Sequence, residues 1–346
     1  MYEAREQLDI LKELQGYSQV EASKIEGTFE YDVLASNSIE FAKSEVELEQ
    51  LYNASFADTS WGEYLTMISE QYGVLRKAAT NAIVVLTIKG TKGKTIPAGS
   101  LFCTMDGLRF ATDEDAVIGS DGFVSAKATA VEAGSGGNAA AETISSIPIS
   151  IPGVESVTNA EAAYDGFDEE SDDALRERYL LKVRTPATSG NPYHYMQWAL
   201  AVEGVGQVKV IPLWNGPGTV KVIIIDADNK TASPELVQAT YKHIESQRPI
   251  GATVTVTSPA PFPVDISATI DGSVDAEAVR ADVNAFFRAN GFDLKKVTLA
   301  RIGKILMDTG LVNDYENLML NGQSASVHIS DEQLPVCGVV SLNVIS

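Results

Sequence analysis

From residue 32 to residue 53 the apolar positions fall in two helical lines. Leu34, Phe41 and Leu48 recur every seventh residue, and Leu51 and Tyr52 extend that face. Ala35, Ile39, Ala42 and Val46 form a second line, about a third of a turn away. A helix carrying two such lines is buried from more than one side. It lies either inside its own domain or in a bundle with helices of other chains, and the residues alone leave both open. The spacing predicts a helical segment over residues 1–80, with Leu34, Phe41, Leu48, Leu51 and Tyr52 as candidate partner-interface residues.

After residue 81 the period changes from helical to two. A-I-V-V-L-T-I-K-G from Ala82, S-L-F-C-T from Ser100 and G-F-V-S-A-K-A-T-A-V from Gly122 read as strands. Turn signals stand at Pro97-Ala98-Gly99, Asp106-Gly107 and Asp121-Gly122. This predicts a small β-rich domain over residues 81–159. Residues 160–258 then read as an α/β module. It has helices over 172–183 and 192–202, strands over 206–212 and 219–226 joined at Asn215-Gly216, a helix over 234–247 and a strand over 253–257. Gly204-Val205 and Asn215-Gly216 recur as Gly310-Leu311 and Asn321-Gly322, both displaced by 106 positions. Equal offsets across a helix, a turn and a hairpin suggest that residues 259–346 are a second, similar α/β module. The coincidence of a common hairpin turn competes with duplication. The expected fold class is an elongated α+β multidomain chain of four parts.

Composition narrows the function. A chain of 346 residues with 45% hydrophobic and 21% charged residues is a folded protein of several domains. Its net charge is −21, and residues 1–80 hold 15 acidic against 6 basic side chains. Nucleic acid is therefore an unexpected partner, since phosphate binding needs a basic stripe. The start, M-Y-E-A-R-E-Q-L-D, lacks the pattern of a Sec-type signal, and no apolar run approaches the length of a membrane span. Cys103 and Cys337 read as unpaired thiols, and three histidines without a CxxC offer no zinc site.

Several motifs imitate chemistry. Gly134-Ser135-Gly136-Gly137-Asn138-Ala139 satisfies GxGxxA, with Glu155 downstream as a ribose acid. A dinucleotide site needs a helix immediately after the glycines, whereas Pro148 and Pro152 favour extended chain. A glycine turn is expected instead. Asp165, Asp168, Glu169, Glu170, Asp172 and Asp173 are crowded but miss the EF-hand spacing. They read as the acidic start of a helix capped by Ser171 or Asp172, with Arg176 and Arg178 in reach of these acids or of a partner. Asp226-Ala227-Asp228-Asn229-Lys230 is similar to the DxDx[TV] of aspartyl phosphotransferases, but Lys230 occupies the Thr/Val position. His194 has no orienting acid designated by the sequence. Trp61, Trp198 and Trp214 are assigned to packing ahead of a sugar shelf. No catalytic, cofactor or metal residues are assigned.

The chain resembles the baseplate J-like family of wedge proteins in contractile phage tails and related injection machines. The resemblance is carried by Phe56-Ala57-Asp58-Thr59-Ser60-Trp61-Gly62-Glu63-Tyr64-Leu65, Gly73 to Thr80 and Ile96 to Ser100. Its most specific part is Gly134 to Asn138, Pro152 to Asn159 and Gly166 to Arg178, followed by Arg248-Pro249-Ile250-Gly251-Ala252. Thr66 stands where the family often has aspartate, and Ala78 where proline is common. The resemblance implies a structural baseplate wedge component without catalytic residues. Two copies would join a smaller wedge protein, and six wedges would ring a hub. The N-terminal helices would enter a shared bundle, and the C-terminal modules would pair to close an inner ring. Sheath initiator and central hub proteins are the further implied partners. The implied location is the host cytoplasm during assembly and the tail baseplate of the mature particle. The competing readings are a carbohydrate-binding module of a tail and a hydrolase using Asp226, Asp228 and His194.

Overall fold

The computed structural model describes residues 2–20, 24–185 and 190–344. Its contacts divide the chain into two units. One is the chain up to Arg76 together with Ser171–Val183, and the other is Lys77–Glu170 together with the chain from Arg184 onward. No described helix is long and apolar enough to cross a membrane.

The first unit is helical: α1 Gln7–Tyr17, α2 Phe29–Ala54, α3 Gly62–Glu70 and α4 Asp172–Arg184. α2 starts at Thr28, whose side chain accepts the N–H of Tyr31, with Glu30 and Asp32 in the first turn to complement the helix dipole. α1 runs antiparallel along α2, and Ile10 and Leu11 are its buried residues. The second contact of the unit is a small core of Leu65, Val74 and Leu175, with Ala57 beside it.

The placement of α4 corrects the expected domain plan, which put this helix at the head of the α/β module. Asp172 accepts the Gly62 N–H at 2.9 Å and pairs with Arg76 at 2.6 Å. Its carboxylate is held below the usual range, first by the Gly62 N–H and then by Arg76. Arg176 donates to the carbonyls of Ala57 and Ser60, Arg178 donates to that of Leu75, and Tyr72 meets Tyr179 edge-on at 5.4 Å. These bonds satisfy the loose carbonyls around α3, so α4 belongs with the N-terminal helices.

The second unit begins with a barrel. Its strands are β1 Asn81–Gly90, β2 Thr95–Ile96, β3 Leu101–Thr104, β4 Arg109–Thr112, β5 Ala116–Val117, β6 Phe123–Ala133, β7 Ile144–Ser146 and β8 Val154–Thr158. The main sheet has the order β7-β3-β4-β6-β1-β8 and is antiparallel throughout. Along β1 the residues 82, 84, 86, 88 and 90 are buried, as the period of two requires. Across the ladder Val84 meets Ala128 and Leu86 meets Ala126, so large side chains face small ones where the sheet curls. Gly90 admits no side chain, since a Cβ there would stand 2.1 Å from the Gly153 carbonyl oxygen.

β7 and β8 are the two ends of the sheet, and Asn159 bridges the gap between them, its carbonyl also accepting the Glu142 N–H at 2.7 Å. Asn159 is fully buried. It accepts the Ile144 N–H at 2.9 Å and donates to the carbonyls of Ala140 and Glu161, each at 2.8 Å.

The next part of the unit is α5 Pro192–Leu200, β9 Val205–Pro212, β10 Thr219–Asp226, α6 Pro234–Gln247 and β11 Thr253–Thr257. β9 and β10 form the expected antiparallel hairpin, and β10 runs parallel to β11 through α6. Residues 221–226 are all buried, so β10 is covered on both faces. Val222 and Ile224 pack towards Tyr195, Ala199, Leu236 and Ile244 of the helices. Lys221, Ile223 and Ile225 point the other way. On that side Lys221 pairs with Glu332 at 2.7 Å and lies 5.0 Å over the Trp214 ring, while Lys209 pairs with Asp331.

The last part comprises β12 Ala260–Gly272, α7 Ala276–Asn290, β13 Lys296–Val297, α8 Leu299–Asp308, β14 Val312–Leu320, β15 Val327–His328 and β16 Gln333–Val344. Its sheet order is β14-β12-β16, with β12 antiparallel to β14 and parallel to β16. Val264, Ile266, Ala268 and Ile270 of β12 form one core with α7 and α8. The displacement of 106 carries α5 onto α8 and β9 onto β14, but the pairing then differs. Asn215-Gly216 closes a hairpin, whereas the chain after Asn321-Gly322 reaches β16, which β12 separates from β14. Both sheets nonetheless have a central strand between one antiparallel and one parallel neighbour.

Candidate partner interface

The expected interface residues all lie on α2, and α1 occupies the strip between its two apolar lines. Gln7 donates to Ser38 at 2.8 Å, the Arg5 N–H to Glu45 at 2.9 Å and the Ala4 N–H to Glu49 at 3.0 Å. Ser38, Glu45 and Glu49 thus mark the face against α1, and that face is small and polar. At 100° per residue, the line of Leu34, Phe41, Leu48 and Tyr52 runs roughly 55° to one side of it. Ile39 and Val46 run roughly 90° to the other side, and Leu51 lies further round beyond Leu48. Phe41 and Leu48 are each 52% exposed and Leu51 62%, whereas Leu34 is half-buried. Tyr52 is exposed and packs on the ring of Phe56 at 5.1 Å.

Within the described chain α1 is the helix seated along α2, and it leaves Phe41, Leu48, Leu51, Ile39 and Val46 exposed. Exposed Val33, Phe29 and Phe56 widen the apolar surface beyond the residues expected from heptad spacing. At the start of α2 a cavity of about 450 Å³ is lined by Ser18, Val20, Thr28, Phe29, Glu30, Val33 and Leu34, and so continues this face. Val33 and Phe56 belong to neither apolar line, and the signal for them in the sequence is that a single short neighbour leaves such apolar residues uncovered.

The surface around these lines is acidic. Between Phe29 and Ala54 there are six acidic side chains (Glu30, Asp32, Glu40, Glu45, Glu47, Glu49) against the single base Lys43. Arg5, donated by the segment before α1, pairs with Glu13 and Glu45, and both carboxylates are held below their ordinary range. Glu13 is lowered first by its bond from Tyr17, and Glu45 first by its bond from Arg5.

The motifs that imitate chemistry are engaged in holding the fold. Gly134, at φ 122°, turns the chain so that Ser135 bonds both oxygens of Asp168 through its N–H and its hydroxyl, each at 2.8 Å. Those bonds lower the Asp168 carboxyl. Asn138 and Gly166 exchange bonds of 2.7 and 3.0 Å. The acidic cluster is dispersed among separate partners: Asp165 to Ser233, Glu170 to the Lys77 N–H, Asp172 to Gly62 and Arg76, and Asp173 to Arg176. Among the described residues no group of carboxylates, histidines and cysteines could hold a metal ion. Cys103 and Cys337 are free thiols, and burial pushes Cys337 up to about 11.

Asp226 ends β10 and accepts the N–H groups of Asp228 at 3.0 Å and Lys230 at 2.7 Å on one carboxylate oxygen, which ties the turn before α6. His194 stacks on Trp198 at 4.5 Å and accepts the Gly190 N–H at 3.2 Å. Trp61 packs edge-on to Tyr64, so each of the three tryptophans has a local partner.

Burial pushes the Asp226 carboxyl up to about 6 from an ordinary 3.8. The folded chain therefore keeps a proton that the unfolded chain releases. The resulting stability is fully present below pH 3.8 and is lost as pH rises through about 6. Asp226→Asn keeps the acceptor oxygen and removes the titration. It is expected to unfold like the native chain at pH 3.5 and to be more stable at pH 7 by up to about 3 kcal/mol, measured by urea unfolding at both values.

Comparison with known proteins gives the following matches. Residues 85–166 match the Baseplate J-like protein barrel domain, and residues 187–258 match the Baseplate J-like central domain. The phage-like element PBSX protein XkdT of Bacillus subtilis is 37% identical over 330 residues, covering 92% of this chain and 91% of that protein. The baseplate protein gp47 of Escherichia phage Mu is 31% identical over 209 residues, covering 56% and 58%. Among solved structures, a chain of the anti-feeding prophage baseplate aligns over 96% of this chain and 90% of its own length. That alignment has 11% identity and a TM-score of 0.43.

Proposed function

Because the chain belongs to the baseplate J-like family and is a phage baseplate component, we propose that it is the structural wedge protein of a contractile injection machine. In this reading its N-terminal helices join those of a second copy and of a smaller wedge protein. The remaining parts build the ring that surrounds the hub and holds the sheath initiator until the baseplate rearranges. Assembly takes place in the host cytoplasm, and the mature site is the tail baseplate. The barrel (residues 81–159) and the two α/β parts (160–258 apart from α4, and 259–346) act as arm and ring modules, and none is an enzyme.

The observation that carries this reading is the apolar surface on both flanks of α1 along α2. Burying a large aliphatic or aromatic side chain stabilises by about 1.5–3 kcal/mol. Leaving Phe41, Leu48 and Leu51 more than half exposed is therefore unfavourable unless other helices cover them. One helix on each flank of α1 would touch both α1 and α2, giving a bundle. The acidic border of α2 selects partner helices with Lys or Arg beside their apolar stripe, so association should weaken as salt rises.

The test is co-expression of the full chain with the products of neighbouring baseplate genes. A complex containing two copies of this chain and one smaller protein, with mass measured by light scattering, is the expected result. A chain that stays monomeric and takes up none of those products would sink the proposal. Asp226→Asn in the same assay is expected to assemble normally and to give working particles, whereas a hydrolase using that aspartate would yield assembled but inactive ones.

A further inference from the structure

The two α/β parts belong to one unit of the fold and are joined in sequence through Ser258-Pro259, between β11 and β12. A small set of polar contacts also joins them, on the face of the β9–β10 hairpin turned away from α5 and α6. Across that ladder Gln207 stands opposite Ile225 and Lys209 opposite Ile223, so both side chains share the face of Lys221. Ile223 and Ile225 are fully buried on that face.

The last part of the chain meets these side chains one by one. The Phe292 N–H donates to Gln207 Oε1 at 3.2 Å. Gly291, at φ 45°, leaves the room this amide fills, since a Cβ there would stand 2.5 Å from Gln207 Oε1. Asp331 and Glu332, on the turn before β16, supply the charge. Glu332 takes Lys221 at 2.7 Å. A single oxygen of Asp331 takes both Lys209 of β9 and, at 3.0 Å, Lys295 of its own part.

An exposed ion pair by itself contributes little to stability. What sets Asp331 apart is that it binds two like charges, one from each side of the boundary. Burial pushes the Lys209 amine down, while the bonds from Lys209 and then Lys295 hold the Asp331 carboxyl below its ordinary range. With the carboxylate neutralised, the same two ammonium groups face each other and repel. The Asp331 side chain is 59% exposed against 22% for Lys209, so solvent ions reach the carboxylate and screen it.

We propose that Asp331 is a charge latch between the two α/β parts. Ionised, it draws β9 onto the turn before β16, and without its charge Lys209 and Lys295 drive the two parts apart about Ser258-Pro259. The inference concerns the chain by itself and stands or falls independently of its assembly partners.

The experiment is hydrogen–deuterium exchange on the full chain, read by mass spectrometry at the peptide holding Phe292. The partner of that N–H lies across the boundary, so its protection reports closure. A peptide from β1 of the barrel serves as the internal control. Asp331→Asn is expected to raise exchange at Phe292 at least tenfold and to leave the β1 peptide unchanged. Asp331→Asn/Lys209→Met removes the repulsion as well as the latch, and should restore slow exchange. In the native chain, raising salt from about 0.05 to about 1 M should speed exchange at Phe292, because screening weakens the latch. An Asp331→Asn variant as protected as the native chain overturns the proposal. So does a double variant that stays fast, since Asp331 would then act only by shaping its own turn. Should Asp331→Asn fail to fold, the native salt series decides, and exchange at Phe292 indifferent to salt overturns the latch.

Discussion

Leu48→Asp is expected to abolish capture of the smaller wedge protein while leaving the chain's own melt unchanged. Leu48 is 52% exposed on the free flank of α2, so its loss removes little from the chain alone. In the bundle the aspartate forfeits about 1–2 kcal/mol of apolar burial and adds a buried, unpaired charge worth several kcal/mol more. Together these reduce affinity by about a thousandfold or more, since each 1.4 kcal/mol is tenfold. Phe41→Glu should behave alike. Ile39→Asp, on the opposite flank of α1, tests whether a second helix is also seated there. Co-purification and circular dichroism are the measurements. A variant that still captures its partner would put these side chains outside the interface, and one whose helical signal collapses would place them in the chain's own fold.

The largest expected effect on stability comes from a single uncharged residue. Asn159→Ala removes one acceptor and two donors at a fully buried position. It orphans the buried Ile144 N–H, while the carbonyls of Ala140 and Glu161 belong to exposed residues and that of Ala140 keeps the Thr143 hydroxyl. An unsatisfied buried group costs about 1–3 kcal/mol and the space left by the side chain adds to it, so the loss should reach about 2–4 kcal/mol. Asn159→Asp keeps the acceptor, loses both donors and adds a charge, and should be no better. A thermal melt of either variant should show the barrel unfolding well below the native midpoint. A drop of only a degree or two would mean that the strands close without this side chain.

Much of this architecture is legible because it is local. The alternation along β1, the Asn215-Gly216 hairpin and the Pro-broken run after Gly134 each depend on neighbours a few positions away. The two apolar lines of α2 are legible for a related reason: a heptad pattern states which sides a helix needs covered, though not by what. Long-range choices are not encoded this way. Asp172 reads locally as the start of a helix, and nothing near it announces Arg76, 96 positions earlier, or the Gly62 N–H, 110 positions earlier. The 106-residue displacement fails at β16 on the same ground, because Asn-Gly specifies a turn and not the strand that pairs after it. Asn159, in V-T-N, looks like a turn residue until β7 and β8 are seen to need a bridge. The exposed Val33 and Phe56 are not legible in this way, because they lie on neither apolar line of α2.

Lys77 and Glu170, the two ends of the barrel segment, are bonded to each other. The Lys77 N–H meets a Glu170 carboxylate oxygen at 3.1 Å, and the Glu170 N–H meets the Lys77 carbonyl at 3.0 Å. The barrel is thus an excursion that leaves the helical unit and returns beside its starting point, after which α4 leads on to residue 185. Insertions or deletions between residues 78 and 169 would change what the barrel presents and leave the junction of Lys77 with Glu170 as it is.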